Sequence, residues 1–138
     1  MTNLNDRNRS VIEEFRNSKG FTDGSSSERP LLIITTLGRK SGQLRTNPLM
    51  YLPDGDRWIV FASKGGAPGN PDWYHNLVAN PTVTLEVGAE AFEAVATVVT
   101  GEERDQLYAQ QAHLFPMFAD YQKRTPRKIP VIALTRKH

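Results

Sequence analysis

Short runs of apolar and β-branched residues, separated by turn signals, dominate the chain from Pro30 onward. Runs of this kind are typical of strands joined by hairpins. They predict six strands, at residues 31–36, 46–52, 57–63, 82–87, 92–100 and 129–134. Val83, Leu85 and Val87 alternate with polar neighbours, so that strand should be buried on one face. The chain is therefore predicted to be mainly β, of the α+β class. Strands linked mostly by hairpins favour a small closed barrel over a doubly wound sheet.

Helical signals lie between the strands and late in the chain. Asn70-Pro71 should open a short helix, with the asparagine as its N-cap, and Asn80-Pro81 should end it. Thr100 and Glu103 have the spacing of a capping box. The helix that they begin should be interrupted at Pro116, with a second helical piece after it.

The N-terminal segment carries Ile12 and Phe15 on an imperfect apolar face among charged residues, which predicts a short helix. Packing on the domain is the plainer interpretation, and a lid or a peripheral contact with the inner face of a membrane is the alternative. Residues 22–28 form a polar, turn-rich loop that we expect to be mobile. We therefore expect residues 1–29 to be an N-terminal helix and loop, and residues 30–138 to be the barrel domain.

Composition narrows the function classes. The 138 residues suffice for one domain with its own core, and the net charge of +2 is too small for a dedicated nucleic-acid binder. The absence of cysteine excludes disulfides, thiolate metal sites and cysteine nucleophiles, so redox chemistry would need a bound cofactor. No apolar run is long enough to span a bilayer and the N-terminus lacks a signal-peptide core, so a cytoplasmic location is expected.

A glycine-bounded basic loop is the first candidate for chemistry. Its sequence is Gly38-Arg39-Lys40-Ser41-Gly42, it lies between two predicted strands, and Arg45 follows. Glycines permit positive φ and a close approach of a ligand to the backbone. Three cations and a serine hydroxyl suit a phosphate or several carboxylates. A solvated hairpin turn with ordinary surface cations is the alternative.

Two further motifs follow closely. Ser63-Lys64-Gly65-Gly66 comes after an apolar strand, and its amides could hold the carbonyls of a heterocycle, unless it is only a flexible glycine loop. Asp72-Trp73-Tyr74-His75-Asn76 begins a helix, whose N-terminus favours an anion. Trp73 offers a flat apolar wall or simply pins the helix to the barrel. His75 has no partner at metal-ligand spacing, so no metal site is predicted.

Aromatic residues recur late in the chain, with Phe115, Phe118 and Tyr121 on one helical face. They either wall a pocket for a flat apolar substrate or fill the core. The sequence shows no Ser-His-Asp order, metal triad or paired-carboxylate motif. Such a chain suits hydride transfer, which depends more on positioning than on acid–base machinery.

Together, the three motifs resemble the deazaflavin-dependent nitroreductase and quinone reductase family, whose members use coenzyme F420. The resemblance runs from about Leu31 to Ile132 and is densest in Gly-Arg-Lys-Ser-Gly, Ala-Ser-Lys-Gly-Gly and Asn-Pro-x-Trp-Tyr-x-Asn-Leu. It implies a six-stranded split β-barrel of the flavin-mononucleotide-binding type with a few short flanking helices. It also implies hydride transfer from reduced F420 to a small quinone-like or nitro-aromatic acceptor, by a monomer or homodimer.

The resemblance further implies roles for individual residues. The coenzyme's phosphate and acidic tail would be held by Arg39, Lys40, Ser41 and Arg45. The ring and its linker would be lined by Thr46, Asn47, Pro48, Leu49, Met50, Phe61, Ala62, Ser63, Lys64, Asp72, Trp73, Tyr74, His75 and Asn76. The acceptor would contact Met50, Phe115, Phe118 and Tyr121. Ser63 and Tyr121 are the catalytic candidates, because their hydroxyls could polarise the acceptor or pass a proton.

The departures from the family pattern concern the acceptor. Relatives that reduce nitroimidazoles carry a tyrosine at the position of Met50 and a run of tyrosines at those of Phe115, Phe118 and Tyr121, where this chain keeps one hydroxyl. Methionine and phenylalanine preserve apolar contact but lose hydrogen-bond donors. We therefore expect coenzyme binding and quinone reduction, and leave nitroimidazole reduction open.

Three other readings remain at this point. The same barrel could bind flavin mononucleotide (FMN), whose single phosphate needs fewer cations. It could also carry the deazaflavin coenzyme without turning it over. A nucleic-acid-binding barrel that stacks bases on Trp58, Trp73 and Tyr74 is the third, although we expect no nucleic-acid partner.

Overall fold

The computed structural model describes residues 4–17 and 30–137, with side chains from Arg9 onward. The helices are α1 (Leu4–Asn17), α2 (Asp72–Ala79), α3 (Gly101–Leu114) and α4 (Met117–Arg124). The strands are β1 (Leu31–Leu37), β2 (Leu44–Met50), β3 (Leu52–Asp54), β4 (Arg57–Phe61), β5 (Thr82–Val87), β6 (Glu90–Val99) and β7 (Val131–Arg136). The loop predicted at residues 22–28 lies outside the described residues. Within the described ranges, no helix has the length and apolar character needed to cross a membrane.

All seven strands belong to one antiparallel sheet in the order β2-β1-β5-β6-β7-β4-β3. The two edge strands, β2 and β3, are consecutive in the chain and separated only by Tyr51. Since one residue can span only a few ångströms, the two edges must meet at this point. The sheet is therefore strongly curled.

The strand count corrects the prediction of six. The run predicted as one strand at residues 46–52 is divided at Tyr51 between two partners. Met50 still pairs with Leu31 of β1, whereas Leu52 pairs with Ile59 of β4. A continuous apolar pattern predicts extended backbone, but it does not show that the pairing partner changes in the middle.

The sheet has core on both faces. One face, with the curled sheet around it, holds a cluster that includes Leu32, Val60 and Leu85, and α2 closes this cluster with Trp73 and Leu77. On the opposite face, α3 and α4 cover a second cluster. Because β4 and β7 are covered on both sides, their sequences are continuous apolar runs and do not alternate.

Helix α1 packs on the outside of β1. Ile12 and Phe15 are buried against Ile33. Arg16 adds a two-pronged contact, since its Nε and Nη2 donate to the carboxylate of Glu86 at 2.9 and 2.8 Å. The apolar face predicted for this segment is thus used within the domain.

Two predicted helix caps need correction. Pro71, not Asn70, is the N-cap of α2, and the cap makes no side-chain hydrogen bond. The Asn70 side chain is engaged elsewhere, accepting from Arg127 Nη1 at 2.6 Å. Thr100 is the N-cap of α3 as predicted, but its hydroxyl forms no capping bond. Local spacing therefore located both helix starts to within one residue, while the side-chain partners depend on tertiary contacts.

Helix α4 is tied to α3 by a buried phenol. The hydroxyl of Tyr108 donates to the carbonyl oxygen of Phe118 at 2.6 Å. Arg104 lies over the Tyr108 ring, with 4.6 Å between its Cζ and the ring centroid, and donates from Nη2 to Gln122 Oε1 at 2.8 Å. Burial raises the pKa of Tyr108 to about 12, because the phenolate would lose its hydration.

We predict that Tyr108→Phe lowers the free energy of unfolding by about 1–3 kcal/mol at neutral pH, because the buried Phe118 carbonyl loses its partner. Between pH 10 and 12, the wild-type folded state keeps the Tyr108 proton, whereas the unfolded chain releases it. The stabilisation by the Tyr108 hydroxyl is therefore fully present below pH 10 and is lost as pH rises from about 10 towards about 12. Urea titrations from pH 8 to 11 should show the difference between the two proteins narrowing. A constant difference would contradict the assignment.

Candidate functional site

One groove collects most of the residues indicated by the sequence. It has a volume of about 1260 Å³ and lies between the β1–β2 loop, the turn after β4, the start of α2 and helix α4. The predicted site residues that line it are Arg39, Lys40, Ser41, Arg45, Thr46, Asn47, Pro48, Leu49, Met50, Phe61, Ser63, Lys64, Asp72, Trp73, Asn76, Phe118 and Tyr121. Three motifs that are separate in sequence are therefore walls of one cavity.

Four predicted site residues do not line this groove. Ala62 is fully buried in the cluster that α2 closes, and Tyr74 packs against the same cluster. His75 stands edge-on to the Tyr74 ring, with the ring centroids 5.5 Å apart. Phe115 packs against the cluster under α3 and α4. The structure thus gives these four residues packing contacts and no place in the groove lining.

The β1–β2 loop is closed by its own backbone. The N–H of Gly38 donates to the Gln43 carbonyl at 2.7 Å, and the N–H of Gly42 donates to the Gly38 carbonyl at 2.9 Å. A Cβ on Gly38 would lie 2.6 Å from Ser41 Oγ, and Gly42 has a φ of +70°. The positive φ of Gly42 favours glycine, and Gly38 leaves room for the Ser41 hydroxyl and the Gln43 carbonyl. Ser41 Oγ accepts from the Gln43 N–H at 3.1 Å.

Asn76 fixes this loop from the side of α2. Its Oδ1 accepts from the backbone N–H of Arg39 at 3.1 Å, and its Nδ2 donates to Thr36 Oγ1 at 3.1 Å. Asn76 belongs to α2, Thr36 to β1 and Arg39 to the loop after β1, and the side chains of Asn76 and Thr36 are buried. Asn76 therefore positions the basic loop against the helix N-terminus.

The groove is strongly cationic. Six cations line it, namely Arg9, Arg16, Arg39, Lys40, Arg45 and Lys64, against the carboxylates Glu13 and Asp72. Asp72 is 91% exposed and 3.9 Å from Arg39 Nη1, so solvent screens this pair. Helix α1 contributes four lining residues, of which Arg9, Glu13 and Arg16 are charged and Ile12 is apolar. None of them was among the predicted site residues, because no local motif links them to the loop.

The turn after β4 has an unusual backbone. Lys64, Gly65 and Gly66 have φ values of +48°, +62° and +83°. Ser63 before them is right-handed, with φ −77° and ψ −40°. Successive N–H groups in such a right-to-left-handed turn form a concave donor surface. The N–H groups of Ser63, Lys64 and Gly65 have no hydrogen-bond partner in the described part of the chain.

This turn lies directly on α4. A Cβ on Gly66 would be 2.8 Å from the Tyr121 carbonyl oxygen and 3.0 Å from Arg124 Cβ. The ring of Tyr121 stands edge-on to that of Phe118, with the centroids 5.2 Å apart. Among described residues, the hydroxyls of Ser63 and Tyr121 have no hydrogen-bond partner. Two free hydroxyls therefore border the same groove.

Arg127 is a residue that the sequence did not indicate. It donates four hydrogen bonds to the segment from Ala62 to Asn70. Desolvation by burial lowers its pKa. Its neighbours in sequence form no recognisable pattern, and its partners are 57 to 65 positions away. Nothing local could have identified it.

Among the described residues, no group of three histidine, cysteine, aspartate or glutamate side chains converges. The donors of the groove are cations, hydroxyls and backbone amides, and its walls are apolar or aromatic. This set suits a large anionic ligand with a flat ring.

Comparison with known proteins is consistent with this donor set. The sequence profile of the family described as F420H(2)-dependent quinone reductase matches residues 7–136. The chain belongs to this family. An F420H(2)-dependent quinone reductase of Mycobacterium tuberculosis H37Rv is 42% identical over 113 residues, which cover 78% of this chain and 74% of that protein. The F420-dependent family predicted from the three motifs is thus confirmed.

Solved structures agree with the assignment. One titled as an F420-H2 dependent reductase is 39% identical, with a TM-score of 0.70, and the match covers 77% of this chain and 94% of that one. Another, titled as a domain-swapped dimer, is 38% identical with a TM-score of 0.72 and covers 89% of this chain and 93% of that one. The fold described above is therefore shared with a solved F420-dependent reductase.

The contact of this reductase's turn with α4 can be tested on two glycines. Gly66→Ala should lower the free energy of unfolding by about 1–3 kcal/mol, because φ is positive and the new methyl meets the Tyr121 carbonyl. Gly69→Ala is the matched control, since a Cβ there has no neighbour within 4 Å. It should change stability by less than about 0.5 kcal/mol. Equal effects in urea titrations would contradict the packing of the turn on α4.

Proposed function

We propose that this chain is an F420-dependent oxidoreductase that transfers hydride from the reduced deazaflavin coenzyme to a quinone-like or nitro-aromatic acceptor. The observation that carries the proposal is the single groove that combines a basic loop, a turn with free amides and an apolar wall with two free hydroxyls. In this interpretation residues 30–138 form a split β-barrel, and residues 1–29 supply α1 and the segment after it. That the chain is a monomer or a homodimer stays a prediction.

The basic loop fits the anionic part of the coenzyme. Arg39, Lys40 and Arg45 line one end of the groove, and Ser41 lies between them. A phosphate with an acidic glutamyl tail carries several negative charges, which matches several cations better than a single phosphate does. We propose that these four residues bind that part, and that Asn76 contributes by holding the loop in place.

The middle of the groove fits a planar ring. The groove is lined by residues 46–50 and by Phe61, Ser63, Lys64 and Trp73, which combine apolar surface with hydrogen-bond donors. Reduced F420, when bound, supplies a hydride from its ring. The protein's part is to orient that ring, to supply N–H donors to its oxygens and to keep apolar surface against its face.

The acceptor would lie towards α4. Met50, Phe118 and Tyr121 line the groove there, with Phe115 packed behind them. Reduction of a quinone to a hydroquinone consumes one hydride and one proton. In this proposal the hydroxyls of Tyr121 and Ser63 hold or pass that proton. Both residues line the groove, and neither hydroxyl has a hydrogen-bond partner among the described residues.

Coenzyme binding is the first test of this function. We predict tight binding of F420, followed by its own fluorescence, and weaker binding of FMN. Lys40→Ala or Arg45→Ala should raise the dissociation constant by about tenfold or more, because each removes a charge-assisted contact of about 1.5–3 kcal/mol. Lys137→Ala, an exposed cation outside the groove, is the control and should have no effect.

Tighter binding of FMN than of F420 would leave the fold unaffected but contradict hydride transfer from F420. Binding of neither ligand would contradict the proposed function. An equal loss of affinity in Lys137→Ala would show that the basic loop is not the anion site.

The acceptor side is tested by removing hydroxyls. Tyr121→Phe should lower the rate of quinone reduction by about 10²-fold if its hydroxyl supplies the proton, with little change in F420 affinity. Ser63→Ala is the parallel variant, and the larger loss identifies the donor. Unchanged rates on every quinone and nitro-aromatic acceptor tested would remove Tyr121 from the catalytic candidates.

Met50→Tyr should raise the rate of nitroimidazole reduction, because the new hydroxyl restores a hydrogen-bond donor on the acceptor side of the groove.

A further inference from the structure

The hydrogen-bond ladder between β4 and β7 stops at the groove because the next residue of the β7 side is a proline. Beyond the Phe61–Val131 pair, the Ala62 N–H donates to the Pro130 carbonyl at 3.0 Å. In an antiparallel ladder, residues paired in this way normally exchange two such bonds. Pro130 has no N–H, so the carbonyl of Ala62 has no ladder donor.

The guanidinium of Arg127 replaces the missing donor. Its Nη1 donates to the Ala62 carbonyl at 3.1 Å and its Nη2 to the Ser63 carbonyl at 2.9 Å. Its Nε donates to the Ala67 carbonyl at 3.0 Å, and Nη1 also reaches Asn70 Oδ1 at 2.6 Å. One planar group thus holds both ends of the turn that carries Ser63 and Lys64.

Holding these carbonyls also fixes the free amides. A peptide group is planar, and its C=O and N–H point in opposite directions. The carbonyl of Ala62 therefore sets the direction of the Ser63 N–H. The carbonyl of Ser63 sets that of the Lys64 N–H, and it accepts from the Gly66 N–H at 2.9 Å as well as from Arg127. The third plane is fixed by the Lys64 carbonyl, which accepts from the Ala67 N–H at 3.1 Å and so orients the Gly65 N–H.

We propose that Arg127 is a positioning residue, which locks these peptide planes so that the N–H groups of Ser63 and Lys64 meet a carbonyl oxygen of a planar ligand in the groove. The proposal rests on the proposed function and adds to it a role for a residue outside the groove lining. The oxygen belongs either to the coenzyme ring or to the quinone acceptor. Both ligands would present a ring carbonyl oxygen, and the titration below distinguishes them by adding the coenzyme before the quinone.

Arginine is required here for its shape and not only for its charge. Its rigid fork presents several N–H donors in one plane, which matches three carbonyls and an amide oxygen. A lysine at this position would keep the charge but offer a single donor atom on a flexible stem. Arg124 of α4 provides the contrast, since it has the same charge but a single hydrogen bond, from Nη1 to the Gly65 carbonyl at 3.4 Å. Its Cζ lies 5.9 Å from the centroid of the Tyr121 ring, a contact that a lysine can keep.

The experiment compares Arg127→Lys with the control Arg124→Lys. Turnover with a naphthoquinone should fall about tenfold or more in Arg127→Lys, because misdirected donors no longer meet the reacting ligand. The dissociation constant for F420 should change less than about threefold if the oxygen belongs to the quinone, and by up to about tenfold if it belongs to the coenzyme ring, since the cations that carry most of that affinity are unaltered. Arg124→Lys should keep both values within about twofold.

Backbone amide NMR supplies the readout that a merely structural role would not change. In the wild type, F420 is added first and a naphthoquinone second. A shift of the Ser63 and Lys64 amide signals on the first addition assigns the oxygen to the coenzyme ring, and a shift only on the second assigns it to the quinone. In Arg127→Lys, with the fold retained, these two signals should no longer respond, whereas signals of the basic loop should.

Several outcomes would overturn the inference. These are unchanged turnover in Arg127→Lys, a loss of turnover that only follows the loss of folded protein, or wild-type amides that respond to neither ligand. The last outcome needs no variant, so it decides the matter even if Arg127→Lys fails to fold. Absence of F420 binding to the wild type would instead contradict the proposed function, and the inference with it.

Discussion

The connection between β2 and β3 is the constraint on which the rest of the structure depends. These strands are the two edges of a seven-stranded sheet, yet only Tyr51 separates them. The sheet must therefore curl until its edges meet. This curl brings the β1–β2 loop opposite the end of β4 and leaves room at that end for α2. The groove is a consequence of that closure.

Both loops of the groove are held in the same manner. Each is anchored through its backbone by a side chain from a distant part of the chain. Asn76 accepts from the Arg39 N–H, and Arg127 donates to the Ser63 carbonyl. The loops can then present their remaining groups to a ligand without reorganising, which is the usual requirement for precise positioning of a coenzyme. The cations supply affinity, while the anchors supply geometry.

The sequence predicted the parts of this structure that depend on neighbouring residues. Strand positions, helix starts and the three motifs were visible because turn chemistry and periodicity are local. The division of one strand at Tyr51, the groove face of α1 and the partners of Asn70 and Arg127 were not visible. They depend on which segments meet in space, and Arg127 lies 64 residues from Ser63. The apolar runs of β4 and β7 likewise do not reveal what covers each face.

We propose that the groove holds the coenzyme and the acceptor together while hydride moves from one to the other. A single-turnover stopped-flow experiment tests it most directly: the anaerobic complex of the protein with reduced F420 is mixed with one equivalent of a naphthoquinone. We predict that the absorbance of oxidised F420 appears in one exponential phase, with one equivalent of hydroquinone formed. Tight binding of the coenzyme with no oxidation above the rate in free solution would contradict the account and indicate a carrier.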